Sequence, residues 1–134
     1  MENNYAQKRN QKRKELFGKL NGRARRRLFG FSQAEIERLR EEYTSQFFRV
    51  QSEPQNTAKY LNMAGECSIA LSDLETAFDC FMQASHIYNN ISRNGNNFFW
   101  LEEESEESHK NAIACLYETR RIQNRCSFFK YFKN

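Results

Sequence analysis

The chain reads as an all-α protein, a short α-solenoid of helical hairpins behind a basic N-terminal helix. Three observations predict this. One Pro and five Gly punctuate 134 residues, and no stretch alternates apolar with polar residues as a half-buried strand does. Apolar residues recur instead at three- and four-residue intervals. Two Ser-x-x-Glu sequences, Ser32 with Glu35 and Ser72 with Glu75, have the form of capping boxes, which satisfy the open N–H groups of a helix start.

Five helices follow in order. The first spans about Tyr5 to Leu28, with Leu16, Phe17, Leu20, Ala24 and Leu28 at helical spacing, and Gly18 and Gly22 weaken it. The second begins at the Ser32 cap, where Phe31 and Ile36 stand as a hydrophobic staple. It continues through Leu39, Tyr43, Phe47 and Val50 until Pro54 closes it. The third covers about Thr57 to Leu71 and the fourth about Leu74 to Ile91, with the Ser72 box fixing a tight turn between them. Leu74, Ala77, Phe78, Phe81, Ser85 and Tyr88 make one stripe on the fourth. A Gly/Asn loop at 92–97 leads to a fifth helix from near Phe98 to Arg125, carrying Leu101, Ala112, Ile113, Leu116 and Tyr117. Its acidic start (Glu102, Glu103, Glu104, Glu106, Glu107) and basic end (Arg120, Arg121, Arg125) suit the helix dipole. The tail CSFFKYFKN is aromatic and short, and reads as a docking or packing segment.

Charge divides the chain. Residues 1–29 carry Lys8, Arg9, Lys12, Arg13, Lys14, Lys19, Arg23, Arg25, Arg26 and Arg27 against Glu2 and Glu15, a net of about +8. The whole chain is only +4, so the remainder is mildly acidic. Residues 1–30 are accordingly read as a basic arm and 31–134 as a helical-repeat domain.

The stretch Leu61 to Asn89 resembles a tetratricopeptide-type hairpin. Gly65, Ala77, Phe81 and Ala84 fall on that motif's small and aromatic packing positions. Gly65 and Ala77 let two helices approach closely, and Phe81 and Ala84 fill the seam against the next helix. Leu61, Ser68 and Asn89 depart from the usual Trp, Tyr and Pro. Such hairpins stack and bind other proteins.

A wider order of segments is similar to the N-terminal part of the huntingtin-associated forty-kilodalton family, whose architecture is related to the soluble NSF attachment proteins. It runs KELFGKLNGRARRRLF, then AEIERLREEYTSQF, then YLNMAGECSIALSDLETAFDCFMQASHIY. Lys19, Leu20, Arg26, Phe29, Ala64, Cys67, Ala70, Leu71, Ala77, Ala84 and Tyr88 carry the similarity, which covers residues 14–125 and about the first third of a family member. The resemblance implies a solenoid that wedges between the helical-repeat domains of a larger partner, huntingtin. A solenoid this short leaves a terminal face uncovered. Another chain, a second copy included, or a folded-back tail of Phe128, Phe129, Tyr131 and Phe132 would cover it.

The residues therefore predict a non-enzymatic protein-binding adaptor. Its expected partner contacts are Lys19, Arg23, Arg25, Arg26 and Arg27 on the arm, Lys59 and Asn62 on the third helix, and the aromatic tail. Glu66 on the same face would repel a terminal carboxylate, so that ligand is not expected. The alternative is nucleic-acid binding, with QKRNQKRK and RARRR neutralising phosphates and Tyr5 or Phe17 stacking on bases. Arg13, Lys14 and Arg25 to Arg27 also have the form of a bipartite nuclear import signal. No catalytic or cofactor residue is expected: His86 and His109 belong to no nucleophile or metal motif, and the Glu run at 102–107 reads as a solvated helix start. Cys67, Cys80, Cys115 and Cys126 lack C-x-x-C spacing, so no metal site is expected, and buried thiols in a reducing cytosolic or nuclear compartment fit them. No window has the roughly 18 apolar residues of a membrane span, and the N-terminus is too basic and polar for a signal peptide.

Overall fold

The computed structural model describes residues 2–49, 53–93 and 99–132, with side chains over 4–46, 53–91 and 101–125. These residues form α1 (Glu2–Arg27), α2 (Gln33–Arg49), α3 (Pro54–Ala70), α4 (Leu74–Arg93) and α5 (Phe99–Phe132), with no strand among them. The all-helical expectation holds. Of the predicted 92–97 loop, the first two residues belong to α4, and the rest lie outside the described residues. The tail is no separate segment: from Cys126 to Phe132 the backbone continues α5.

Local chemistry sets the helix ends. Ser32 caps α2 as its sequence foretells, its Oγ accepting the Glu35 N–H at 3.2 Å. Pro54 does not end α2 but occupies the first turn of α3, where its missing N–H is no loss. The α3–α4 turn also differs from expectation. Ser72 is not the cap of α4; Asp73 is, its Oδ1 accepting the Thr76 N–H at 3.3 Å. Ser72 instead ends α3 in the left-handed region, at φ 60°. Its N–H donates to the Ile69 carbonyl at 3.0 Å, and the Asp73 N–H donates to the Ser68 carbonyl at 2.8 Å. This is the Schellman arrangement, which usually places glycine at the left-handed position.

Helices α3, α4 and α5 pack each against the next, α2 lies on α3, and α1 lies on α5 and α3. The α3–α4 crossing is close because Gly65 has no side chain: a Cβ there would stand 2.8 Å from Cε1 and Cζ of Phe81. Phe81, 1 % exposed, joins Leu20, Ala24, Ile69, Ala77, Ala112 and Cys115 in one buried cluster. A second cluster holds Ala58, Leu61, Ala84, Tyr88, Ile91 and Leu101. The α4 stripe is thus the centre of the molecule. On α5, Leu101, Ser108, Ala112 and Cys115 are buried, whereas Ile113, Leu116 and Tyr117 are half-buried.

Candidate functional site

The basic helix α1 has two faces because its apolar residues are few and aligned. Leu20 and Ala24 are buried, Phe17 is half-buried, and the helix seats on this short stripe. Two of the expected partner residues are used to hold that seat. Arg27 Nη1 donates to both carboxylate oxygens of Glu66, at 2.9 and 3.0 Å. Arg23 Nε stands 3.5 Å from Glu66 Oε1 as an ion pair, and Arg23 Nη1 lies 3.8 Å from Glu107. Glu66 is only 8 % exposed, so a carboxylate otherwise costly to bury is matched by two guanidiniums. The other predicted cations, Lys19, Arg25 and Arg26, are exposed. Lys8, Arg9, Lys12 and Lys14 are exposed with them, leaving a cationic outer surface.

The remaining predicted residues separate. Lys59 is exposed on α3. Asn62 works inside the fold, its Oδ1 accepting the Ser108 hydroxyl at 3.0 Å. Phe128, Phe129, Tyr131 and Phe132 fall on the last turns of α5, and their side chains lie outside the described residues.

Several polar ties were invisible in the sequence. Arg40 of α2 donates to Asp73 at 3.0 Å and to Ser68 at 3.4 Å, so one side chain clamps α2 to the α3–α4 turn. Burial raises the Asp73 carboxyl, but hydrogen bonds from Thr76 and Arg40 outweigh it and hold the group below its ordinary range. Ser85 and Ser105 exchange hydroxyl-to-carbonyl bonds at 3.0 Å in both directions, tying α4 to α5. Tyr43 and Tyr60 stack with ring centroids 6.1 Å apart.

The turn between α1 and α2 gathers features that the sequence did not assign together. Gly30 has φ +92°, and the Phe31 N–H donates to the Leu28 carbonyl at 3.1 Å. A positive φ at the third residue of a hydrogen-bonded turn favours glycine. The turn holds Phe29 at its corner, 88 % exposed, and Phe31 at 45 %. Behind it lies a cavity of about 260 Å³ lined by Arg27, Leu28, Phe31, Leu39, Tyr43, Met63, Glu66 and Cys67.

The titratable groups here favour their neutral forms. Burial, then the Glu66 charge, pushes the Cys67 thiol up to about 11, and burial raises Tyr43. Burial likewise lifts Cys80 to about 11 and Cys115 to about 12. Such thiols are poor nucleophiles at neutral pH. Among the described residues, no three His, Cys, Asp or Glu side chains gather as a metal site would require. Compared with protein-family models, curated proteins and solved structures, the chain matches none.

Proposed function

We propose that this protein is a non-enzymatic adaptor built on tetratricopeptide-like hairpins, docking on a larger protein partner. One observation carries the reading: the Phe81 ring lies against Gly65 at the α3–α4 crossing, the small-and-aromatic pairing that such hairpins use to stack. The thiols near the turn, held protonated by burial, add no competing chemistry. The huntingtin-associated resemblance extends the proposal to a helical-repeat partner of that kind, huntingtin itself being the first to test. Its setting is cytosolic or nuclear.

The second reading, nucleic-acid binding, is favoured by the exposed cations of α1 that no buried carboxylate engages: Lys8, Arg9, Lys12, Lys14, Lys19, Arg25 and Arg26. Affinity purification of the tagged full chain, with and without nuclease, separates the two. A stoichiometric protein partner that survives nuclease supports the adaptor. Loss of all partners on nuclease treatment, with a Lys19, Arg25 and Arg26 triple alanine variant equally empty, replaces it with the second reading. Arg27 is left intact in that variant because it holds Glu66.

A further inference from the structure

The α1–α2 turn sets two aromatics, Phe29 and Phe31, side by side at the surface next to a cavity. Phe29 is a bulky side chain left almost wholly in water, and covering it is worth about 2 kcal/mol in apolar transfer. It is also held in place. The Leu28–Phe31 hydrogen bond, Gly30 at positive φ and the Ser32 cap on α2 fix the backbone on both sides of it. A pre-ordered backbone leaves only the side chain's own rotamer entropy to be lost when a partner covers it. Phe31, two residues on, forms the mouth of the 260 Å³ cavity between α2 and α3. Small-molecule sites run from about 300 to 1,000 Å³, so this cavity suits one inserted side chain rather than a metabolite. Its lining by Leu28, Leu39 and Met63 asks for an apolar one.

Charge names the rest of the partner. Arg25, Arg26 and Arg27 end α1 immediately before the turn, and only Arg27 is held by a buried carboxylate. Arg25 and Arg26 bond within their own helix, to Asn21 and to the Gly22 carbonyl, which leaves both charges available at the surface. The nearest opposing charge in sequence is Glu35 of the first turn of α2. Phe31, Tyr43 and Arg27 line the cavity, with Phe29, Arg25 and Arg26 close by in sequence, and aromatics and arginines are the composition of interface anchors.

We infer that the α1–α2 turn and the cavity behind it form a docking surface for an acidic protein segment carrying one bulky apolar side chain. The apolar side chain enters the cavity beside Phe31, Phe29 covers it from outside, and the flanking carboxylates meet Arg25 and Arg26. This rests on the adaptor reading and gives that adaptor its partner chemistry.

The test is selection of a random-peptide library on the full-length chain, followed by affinities for the consensus peptide. The expected consensus is Leu, Ile, Phe or Trp flanked by Asp and Glu. Its affinity should fall about tenfold or more for Phe29→Ala and again for Arg25→Glu/Arg26→Glu. Phe29→Ala changes an exposed group, so its thermal melt should match the parent, whereas two carboxylates in the last turn of α1 oppose its dipole, so the double variant should melt slightly lower yet stay folded at the assay temperature. The Met63 methyl resonance, a native reporter in the cavity wall, should shift on peptide addition. No enrichment, a basic consensus, unchanged affinity in Phe29→Ala or a silent Met63 would each overturn the inference. So would concentration-dependent self-association that Phe29→Ala abolishes, since a second copy would then own the surface. Parallel purification from cells with the Phe29→Ala chain keeps the two proposals apart. A nuclease-resistant partner retained by the variant defeats the docking site and leaves the adaptor standing; no partner with either chain defeats the adaptor.

Discussion

Adding one methyl group at Gly65 should destabilise the protein, although the same change elsewhere in its helices should stabilise it. Gly65 lies inside α3, where alanine is favoured over glycine by about 1 kcal/mol. Against this stands the contact with Phe81: the new Cβ would fall 2.8 Å from two ring carbons and 3.1 Å from a third. The ring is not free to yield, because it is 1 % exposed and walled by Leu20, Ala77, Ala112 and Cys115. Overpacking in such a core costs about 1–3 kcal/mol, and a clash this close belongs in the upper half of that range. Gly65→Ala should therefore lose about 1–2 kcal/mol net, a fall of roughly 4–8 °C in Tm for a domain of this size. Gly22, inside α1 with nothing within 4 Å of its Cβ position, is the control. Gly22→Ala should gain about 0.5–1 kcal/mol. Shrinking the ring in Phe81→Leu should make the Gly65→Ala penalty smaller than in the parent, a coupling that a double-mutant cycle of chemical melts measures directly. A stabilised Gly65→Ala protein, or penalties that simply add, would refute the close-approach account of this crossing.

Other outcomes follow from the same geometry. Ser72→Gly should raise stability by about 0.5–1 kcal/mol, because Ser72 holds φ 60° at a position glycine fills without strain; urea melts at fixed pH report it. Glu66→Ala should cost about 1–2 kcal/mol, a charged hydrogen-bond loss discounted for the exposure of Arg27, and hydrogen exchange should quicken in α1 before α4. The buried thiols set an alkaline limit. Cys67, Cys80 and Cys115 hold their protons more tightly folded, at about 11 to 12, than unfolded, at roughly 8.5. Their contribution is complete below about pH 8.5 and drains as pH rises towards 12, so Tm should be level near neutrality and fall above about pH 9. At pH 8, alkylation mapped by mass spectrometry should label Cys67 and Cys115 at the unfolding rate, not at the rate of a free thiol.

What the sequence made legible was local or periodic. The Ser32 cap was readable because serine, the glutamate three residues on and the flanking apolar pair all act within one turn. The close approach at Gly65 was readable because small residues recur at a fixed offset on the two helices; that the Phe81 ring is what Gly65 admits was not, since its position in the pattern assigned Phe81 to the seam with the next helix. Ser72 misled because two capping residues stand side by side there. Asp73 takes the cap, and the chain turns through Ser72. Pro54 was ambiguous in kind, since proline suits both the end of one helix and the start of the next. The buried face of α5 was not legible because its apolar residues surround much of the helix, and only contact with α4 and α1 chooses a face. The Arg27–Glu66, Arg40–Asp73 and Ser108–Asn62 ties join residues 33 or more apart in sequence, through helix registers that no local pattern encodes. Phe31 was legible as a staple residue, but not as the wall of a cavity that needs α2 and α3 to exist.

The seat of α1 has a consequence for how the chain is made. This helix is synthesised before α5, which carries Glu107, Ala112 and Cys115 of its seat. At about 5–20 residues per second, the interval between Arg23 and Glu107 is on the order of ten seconds. During that interval α2, α3 and α4 can close their own hairpins while the most cationic part of the molecule waits undocked, tethered beside the polyanionic surface of the ribosome. Its capture closes the long loop between Arg23 and Glu107, and it turns a loose cationic segment into the strut that joins α1 to α5.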